Sequence, residues 1–195
     1  MALKAGDKIP TDVSFLTLVD DAPTPLGFDD IFANKKVAFF AVPGAFTPGC
    51  SKTHCPSFVL GAARLKQKGI DAVYCTAVNG ISLFPTFPLR YALVSSQCFV
   101  RWRSHRVSWD LAHMSDAFVL DAWAESQGAK GKITFLADGN GDFARKIGLT
   151  KETGAFGGTR SARYALIATN GVVDYIAVDE QGVDKTTADS LLANL

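Results

Sequence analysis

The sequence predicts an α/β domain whose central mixed sheet carries helices on both faces. Three observations lead there. Apolar runs such as "KKVAFFAV" are unbroken, the pattern of strands buried on both sides. Segments of helical period alternate with them. Late in the chain two apolar runs flank Asn170-Gly171, the residues preferred in a two-residue hairpin turn, so an antiparallel element joins the order. At 195 residues, a single domain over residues 1-195 is long enough to bury a sizeable core.

Taken in order, "SFLTLVD" has strand character, and the apolar run from Val37 marks a buried strand. From Cys50 the spacing of Phe58, Val59, Ala62, Ala63 and Leu65 predicts a helix that stops near Gly69. "DAVYCTAVN" is a second buried strand. "SDAFVLDAWAES" predicts a helix capped by Ser115 or Asp116. "KITFLAD" is a third strand, "DFARKIG" a short helix, "RYALIATNGVVDYIAV" the hairpin, and "TTADSLLANL" a closing helix with one apolar face.

The stretch Gly80 to Ser115 breaks this rhythm. It takes 36 residues where such connections usually take about 2–6. It contains neither lysine nor glutamate, yet four arginines and two tryptophans, and its apolar residues follow no sustained period. It reads as foreign to the domain, either a surface insertion or translated non-coding sequence.

Composition excludes several classes. Formal net charge is +1, so no basic field points to nucleic acid or an anionic membrane. "MALKAGDKIPTDV" lacks the apolar core of a signal peptide, and no run is long enough to span a bilayer. A cytoplasmic protein with free thiols is the expectation. Cys50, Cys55, Cys75 and Cys98 form no CxxC pair, and with only His54, His105 and His113 to join them no metal site and no cofactor is expected.

The chemistry concentrates in "PGAFTPGC". Pro43 and Gly44 turn the chain after the strand, and Pro48 and Gly49 lead into a helix whose first turn holds Cys50. Unpaired N–H groups and partial positive charge at such a terminus favour a thiolate. Thr47 can direct its hydroxyl toward the sulfur or toward an oxygen of a bound substrate, or serve only as a cap. These are the requirements of a nucleophilic cysteine acting on a small polar oxidant. His54 lies one helical turn on; spacing alone does not put its ring on the thiol, so a structural role or a modest influence is expected.

"PGAFTPGCSKTH" resembles the active-site signature of the peroxiredoxins, Pro-x-x-x-Thr-x-x-Cys, in its type II (peroxiredoxin-5-like) form. "LKAGDKIP", "LKQKGIDAVYCTAVN", "DAFVLDAW", "ITFLADGNGDFARKIGL" and "RSARYALIATNGVV" also resemble family segments, in order. Only Gly80 to Ser115 has no counterpart. The resemblance implies a thioredoxin-like three-layer fold and a thiol peroxidase acting on hydrogen peroxide and alkyl hydroperoxides. It implies that Cys50 is the peroxidatic cysteine, that Thr47 hydrogen-bonds the peroxide, that Pro43 shields the pocket and that Arg163 lies against the sulfur. Cys75, at a position that resolves the sulfenic acid in some plant-like members, is either the resolving thiol or a core residue. Cys55 is a fallback partner. Without either, the cycle is one-Cys, with glutaredoxin and glutathione or thioredoxin as reductant. A homodimer is implied as well. Two other classes stay open. One is a general thiol–disulfide oxidoreductase, which the missing CxxC disfavours. The other is a redox-inactive or chaperone-like member whose site the insertion obstructs. The terminal "ANL" loosely resembles a peroxisomal address.

Overall fold

A computed structural model describes residues 2–78 and 111–195. Cys98, His105 and most of Gly80 to Ser115 therefore lie outside the described residues.

The chain runs through β1 (Ser14–Val19), β2 (Ala22–Gly27), α1 (Phe28–Phe32) and β3 (Lys36–Val42). A π-helical turn (Cys50–His54) leads into α2 (Cys55–Gln67), then β4 (Ala72–Ala77) and α3 (Leu111–Ser126). β5 (Thr134–Ala137), α4 (Asp142–Lys146), β6 (Thr150–Glu152) and β7 (Thr159–Ser161) follow. The hairpin β8 (Arg163–Thr169) and β9 (Val172–Asp179) precedes α5 (Ala188–Leu192). The main sheet has the order β2-β1-β5-β4-β3-β8-β9. β3, β4 and β5 are parallel, while β1, β2, β8 and β9 join antiparallel, so the sheet is mixed as expected.

The alternation of β3 explains the layers. Ala38, Phe40 and Val42 point into one core with α2, α3 and α5. Val37, Phe39 and Ala41 point into the other, with α1 and α4. Every one of these six residues is fully buried, which is why the run reads as unbroken. Asn170 (φ 50°) and Gly171 (φ 75°) both take left-handed backbone, the geometry of the two-residue turn their sequence predicts.

Four departures have physical reasons. β2, "APTPLG", carries Pro23 and Pro25 and has no apolar alternation; it forms because it is an edge strand, where a missing N–H can face away from the ladder. α1, β6 and β7 are too short to show a period. On α2, Phe58, Ala62 and Leu65 are buried and Val59 is half-buried, but Ala63 faces solvent. α3 starts at Leu111, four residues before the predicted cap at Ser115, so the last residues of the foreign-looking stretch are helical.

Two contacts seat the helices that matter for the site. Phe58 of α2 stacks on Phe40 of β3 with centroids 3.9 Å apart and planes 4° from parallel. Trp123 of α3, fully buried, donates its Nε1–H to Ser51 Oγ at 3.0 Å and so docks α3 against the turn that holds Cys50.

Candidate active site

β3 delivers the chain to the parallel-strand end of the sheet and stops at Val42. The reversal that follows is tightly held. Phe46 takes φ 60°, a left-handed backbone that aromatic residues rarely adopt. Thr47 Oγ1 donates to Gly44 O at 2.9 Å and closes the loop across its apex. Pro43 is half-buried at the loop entry. Helical backbone begins at Pro48, where the missing N–H is no loss because first-turn N–H groups have no partner within the helix.

Cys50 sits in this first turn and is fully buried. The turn from Cys50 to His54 is π-helical: the Cys55 N–H donates to Cys50 O, five residues back. Such bulges occur disproportionately at functional sites. Nothing in the periodicity announces this one.

Arg163 reaches the sulfur from the first position of β8, where it stands opposite Asp179 on β9. Its Nη2 lies 3.6 Å from Cys50 Sγ, and its Nη1 lies 3.0 Å from His54 Nδ1. Gly49 leaves room for this approach, since a Cβ there would stand only 3.3 Å from Nη2. The sequence thus brings Cys50 and Arg163 together across 113 residues.

His54 is the residue whose partners the sequence did not show. Its ring meets the arginine beside the thiol. A guanidinium has donors only, so Nδ1 accepts, and the ring proton on Nε2 is donated to Thr186 O at 2.8 Å. Burial, and then the charge of Arg163, lowers its pKa to about 3, so the imidazole is neutral at physiological pH. A hint was present, since a histidine inside a run of core-facing helical positions needs polar partners.

Cys55 and Cys75 share the core cluster of Cys50. Both are free thiols with no exposed surface. Burial, with Cys50 nearby, pushes Cys55 up to about 12. Burial likewise pushes Cys75, in the middle of β4 and paired with Phe40 and Phe135, well above the ordinary thiol range. Among the described residues no group of three or more acidic, histidine or cysteine side chains is arranged to hold a metal, and no helix is long and apolar enough to cross a membrane.

A buried sulfur at a helix start, with a guanidinium at its side and no second cysteine in CxxC spacing, has the make-up expected of a thiol-based redox site. Comparison with known proteins narrows the class. The sequence profile of the Redoxin family matches residues 4–83 and 110–192. The chain is 32% identical over 201 residues to the chloroplastic peroxiredoxin-2E of Arabidopsis thaliana, covering 100% of this chain and 70% of that one. It is 32% identical over 200 residues to a putative peroxisomal peroxiredoxin of Lipomyces kononenkoae, covering 97% and 99%. The crystal structure of reduced Prx3 from Vibrio vulnificus in complex with H2O2 superposes with a TM-score of 0.76 at 33% identity and 98% coverage of both chains. Peroxiredoxin 5 from Alvinella pompejana superposes at 0.70 and 26% identity, covering 98% and 97%. The chain belongs to the Redoxin family and within it to the peroxiredoxins; it is a thiol peroxidase, an oxidoreductase of a family that works with a thiol reductant and forms oligomers. The family profile leaves 84–109 unmatched, inside the Gly80 to Ser115 stretch that the sequence marks as foreign.

Proposed function

We propose that Cys50 is the peroxidatic nucleophile and that Arg163, Thr47 and Pro43 form its working surroundings. The observation that carries the reading is the 3.6 Å approach of Arg163 Nη2 to Cys50 Sγ. A permanently charged guanidinium there stabilises negative charge on the sulfur and on the oxygen that departs. The thiolate attacks one oxygen of a hydroperoxide, an S–O bond forms as the O–O bond breaks, and the leaving alkoxide or hydroxide takes a proton. Cys50 is left as sulfenic acid. Thr47 already donates to Gly44 O, so its hydroxyl meets the substrate with its lone pairs, as acceptor of the hydroperoxide O–H. The half-buried Pro43 ring keeps one wall of the site rigid and free of an N–H.

Cys75 and Cys55 are buried and held protonated, which makes both poor attackers of a sulfenic acid. The reading supported best is therefore a one-Cys cycle. An outside thiol, from glutathione with glutaredoxin or from thioredoxin, forms a mixed disulfide with Cys50 and releases water. A second thiol then frees the cysteine. A homodimer fits two exposed apolar side chains: Phe46, in the loop before Cys50, is 57% exposed, and Phe118 of α3 is 44% exposed. Leu195 packs half-buried on the core and Asn194 Nδ2 donates to Ser190 O. These contacts tie the residues after α5 to the domain.

The test is to treat reduced protein with substoichiometric hydrogen peroxide and map oxidation by mass spectrometry. Fast sulfenic acid formation confined to Cys50, abolished by Cys50→Ser, is the expected result. Slow, unselective oxidation would instead support a redox-inactive or chaperone-like protein. A version lacking 84–109 is expected to be more soluble or more active than the full chain; equal solubility and peroxidase rate would refute that.

A further inference from the structure

We infer that His54 is a positioning residue of the peroxide reaction: its Nδ1 anchors the Arg163 guanidinium against Cys50, and Thr186 O, fixed in turn by Asp179, anchors the imidazole. The inference rests on the reading of Arg163 as the cation that serves the sulfur.

An arginine side chain has many rotamers, and a single 3.6 Å contact to sulfur is a weak tether. His54 supplies the second point of attachment at 3.0 Å, on the other arm of the guanidinium fork. That bond needs a ring nitrogen that accepts, so it needs the Nε2–H tautomer. The partner of one ring nitrogen sets the role of the other, and here that partner is the Thr186 carbonyl at 2.8 Å. Phe40 and Phe58 meet the ring edge-on, with centroids 5.1 Å and 5.7 Å away, and hold its plane.

The carbonyl itself is fixed from behind. Asp179 Oδ2 accepts the N–H groups of Asp184 (3.0 Å), Lys185 (3.0 Å) and Thr186 (3.1 Å), and the Thr186 hydroxyl at 2.8 Å. Burial alone would raise this carboxyl, but those donors together outweigh it and keep Asp179 below its ordinary range. The segment before α5 is thus folded around one charged oxygen.

The choice of a histidine has an electrostatic reason. A carboxylate in its place would hold the guanidinium as firmly but would neutralise the charge that the sulfur and the leaving oxygen need. A neutral imidazole orients the cation and leaves its charge uncompensated. Asp179 is the cross-strand neighbour of Arg163, yet its oxygens are occupied by the 184–186 segment. Among the described residues Arg163 makes no ion pair.

The experiment compares second-order rate constants for hydrogen peroxide in the wild type, His54→Phe, His54→Asn, Arg163→Leu and His54→Phe/Arg163→Leu. Phenylalanine keeps the ring between Phe40 and Phe58 and removes both nitrogens; asparagine keeps an acceptor near the Nδ1 position. The expected loss in His54→Phe is about 10–100-fold, by analogy with the loss found when a group that orients a metal ligand is removed. Asparagine is expected to recover most of it, and in the Arg163→Leu background His54→Phe should cost nothing further. The inference is overturned if the His54 effect persists in full without Arg163, if asparagine is no better than phenylalanine, or if His54→Phe stays within about twofold of wild type while Arg163→Leu is slow. If Arg163→Leu itself reacts at the wild-type rate, the assignment of Arg163 fails instead. Should His54→Phe not fold, the asparagine variant, alone and with Arg163→Leu, decides the same question.

Discussion

Acidification should weaken this fold through one ring. Folded His54 has a pKa of about 3, while in the unfolded chain it returns to the ordinary 6.5. Below 6.5 the unfolded chain takes up a proton that the native protein refuses, so this stability is fully present above 6.5 and drains away as pH falls toward 3. Each unit is worth about 1.4 kcal/mol, and pH 5 lies roughly one and a half units into the window, giving a loss of about 2 kcal/mol relative to pH 7. In a chain of this size that corresponds to a fall in Tm of about 4–8 °C. The assay is urea unfolding of wild type and His54→Phe at both pH values. Every other titratable side chain is common to both proteins, so the comparison isolates His54. The wild type is expected to lose about 2 kcal/mol more than the variant between pH 7 and pH 5. Equal losses would mean that His54 is not held neutral by the fold, and the tautomer argument would fall with it.

Three further outcomes follow from the contacts. In Gly61→Ala the new Cβ would stand 2.7 Å from Ala188 Cβ, so α5 must move off α2; a cost of about 1–3 kcal/mol should appear in thermal melts. Gly49→Ala presses on Arg163 Nη2 from 3.3 Å and should slow the peroxide reaction about tenfold in stopped-flow assays while barely moving the melting temperature. Cys75→Ala removes a buried core thiol and should leave steady-state turnover with an external thiol intact; a variant arrested as sulfenic acid would instead make Cys75 the resolving residue.

How much of this was legible in the chain depended on whether the signal was local. The β3 run, the Asn170-Gly171 turn and the apolar stripe of α2 are local patterns, and each led to the element observed. The place of Cys50 in a first helical turn and of Thr47 in the loop before it was legible because a proline-bounded loop before a helix is a local pattern too. Arg163 came through the resemblance to a family and not through physics, since nothing in "SARYALI" shows that β8 starts beside a sulfur 113 residues earlier. The partners of His54 were not legible because Arg163 and Thr186 lie 109 and 132 residues away. β2 escaped because its prolines argue against a central strand and say nothing about an edge. The direction of the Thr47 hydroxyl, toward Gly44 O, depends on a loop closure that residue types alone do not specify.

The π-helical turn has a consequence for the whole cycle. Cys50 has no exposed surface, so on the proposed cycle a protein-sized electron donor meets the sulfur only after the backbone around it moves. His54 is the last residue of that turn, so a movement of the whole turn would also displace the partner of Arg163. In the structure the turn hides the sulfur and holds the guanidinium beside it at once. Burial of the sulfur and placement of the cation therefore rest on the same short piece of backbone.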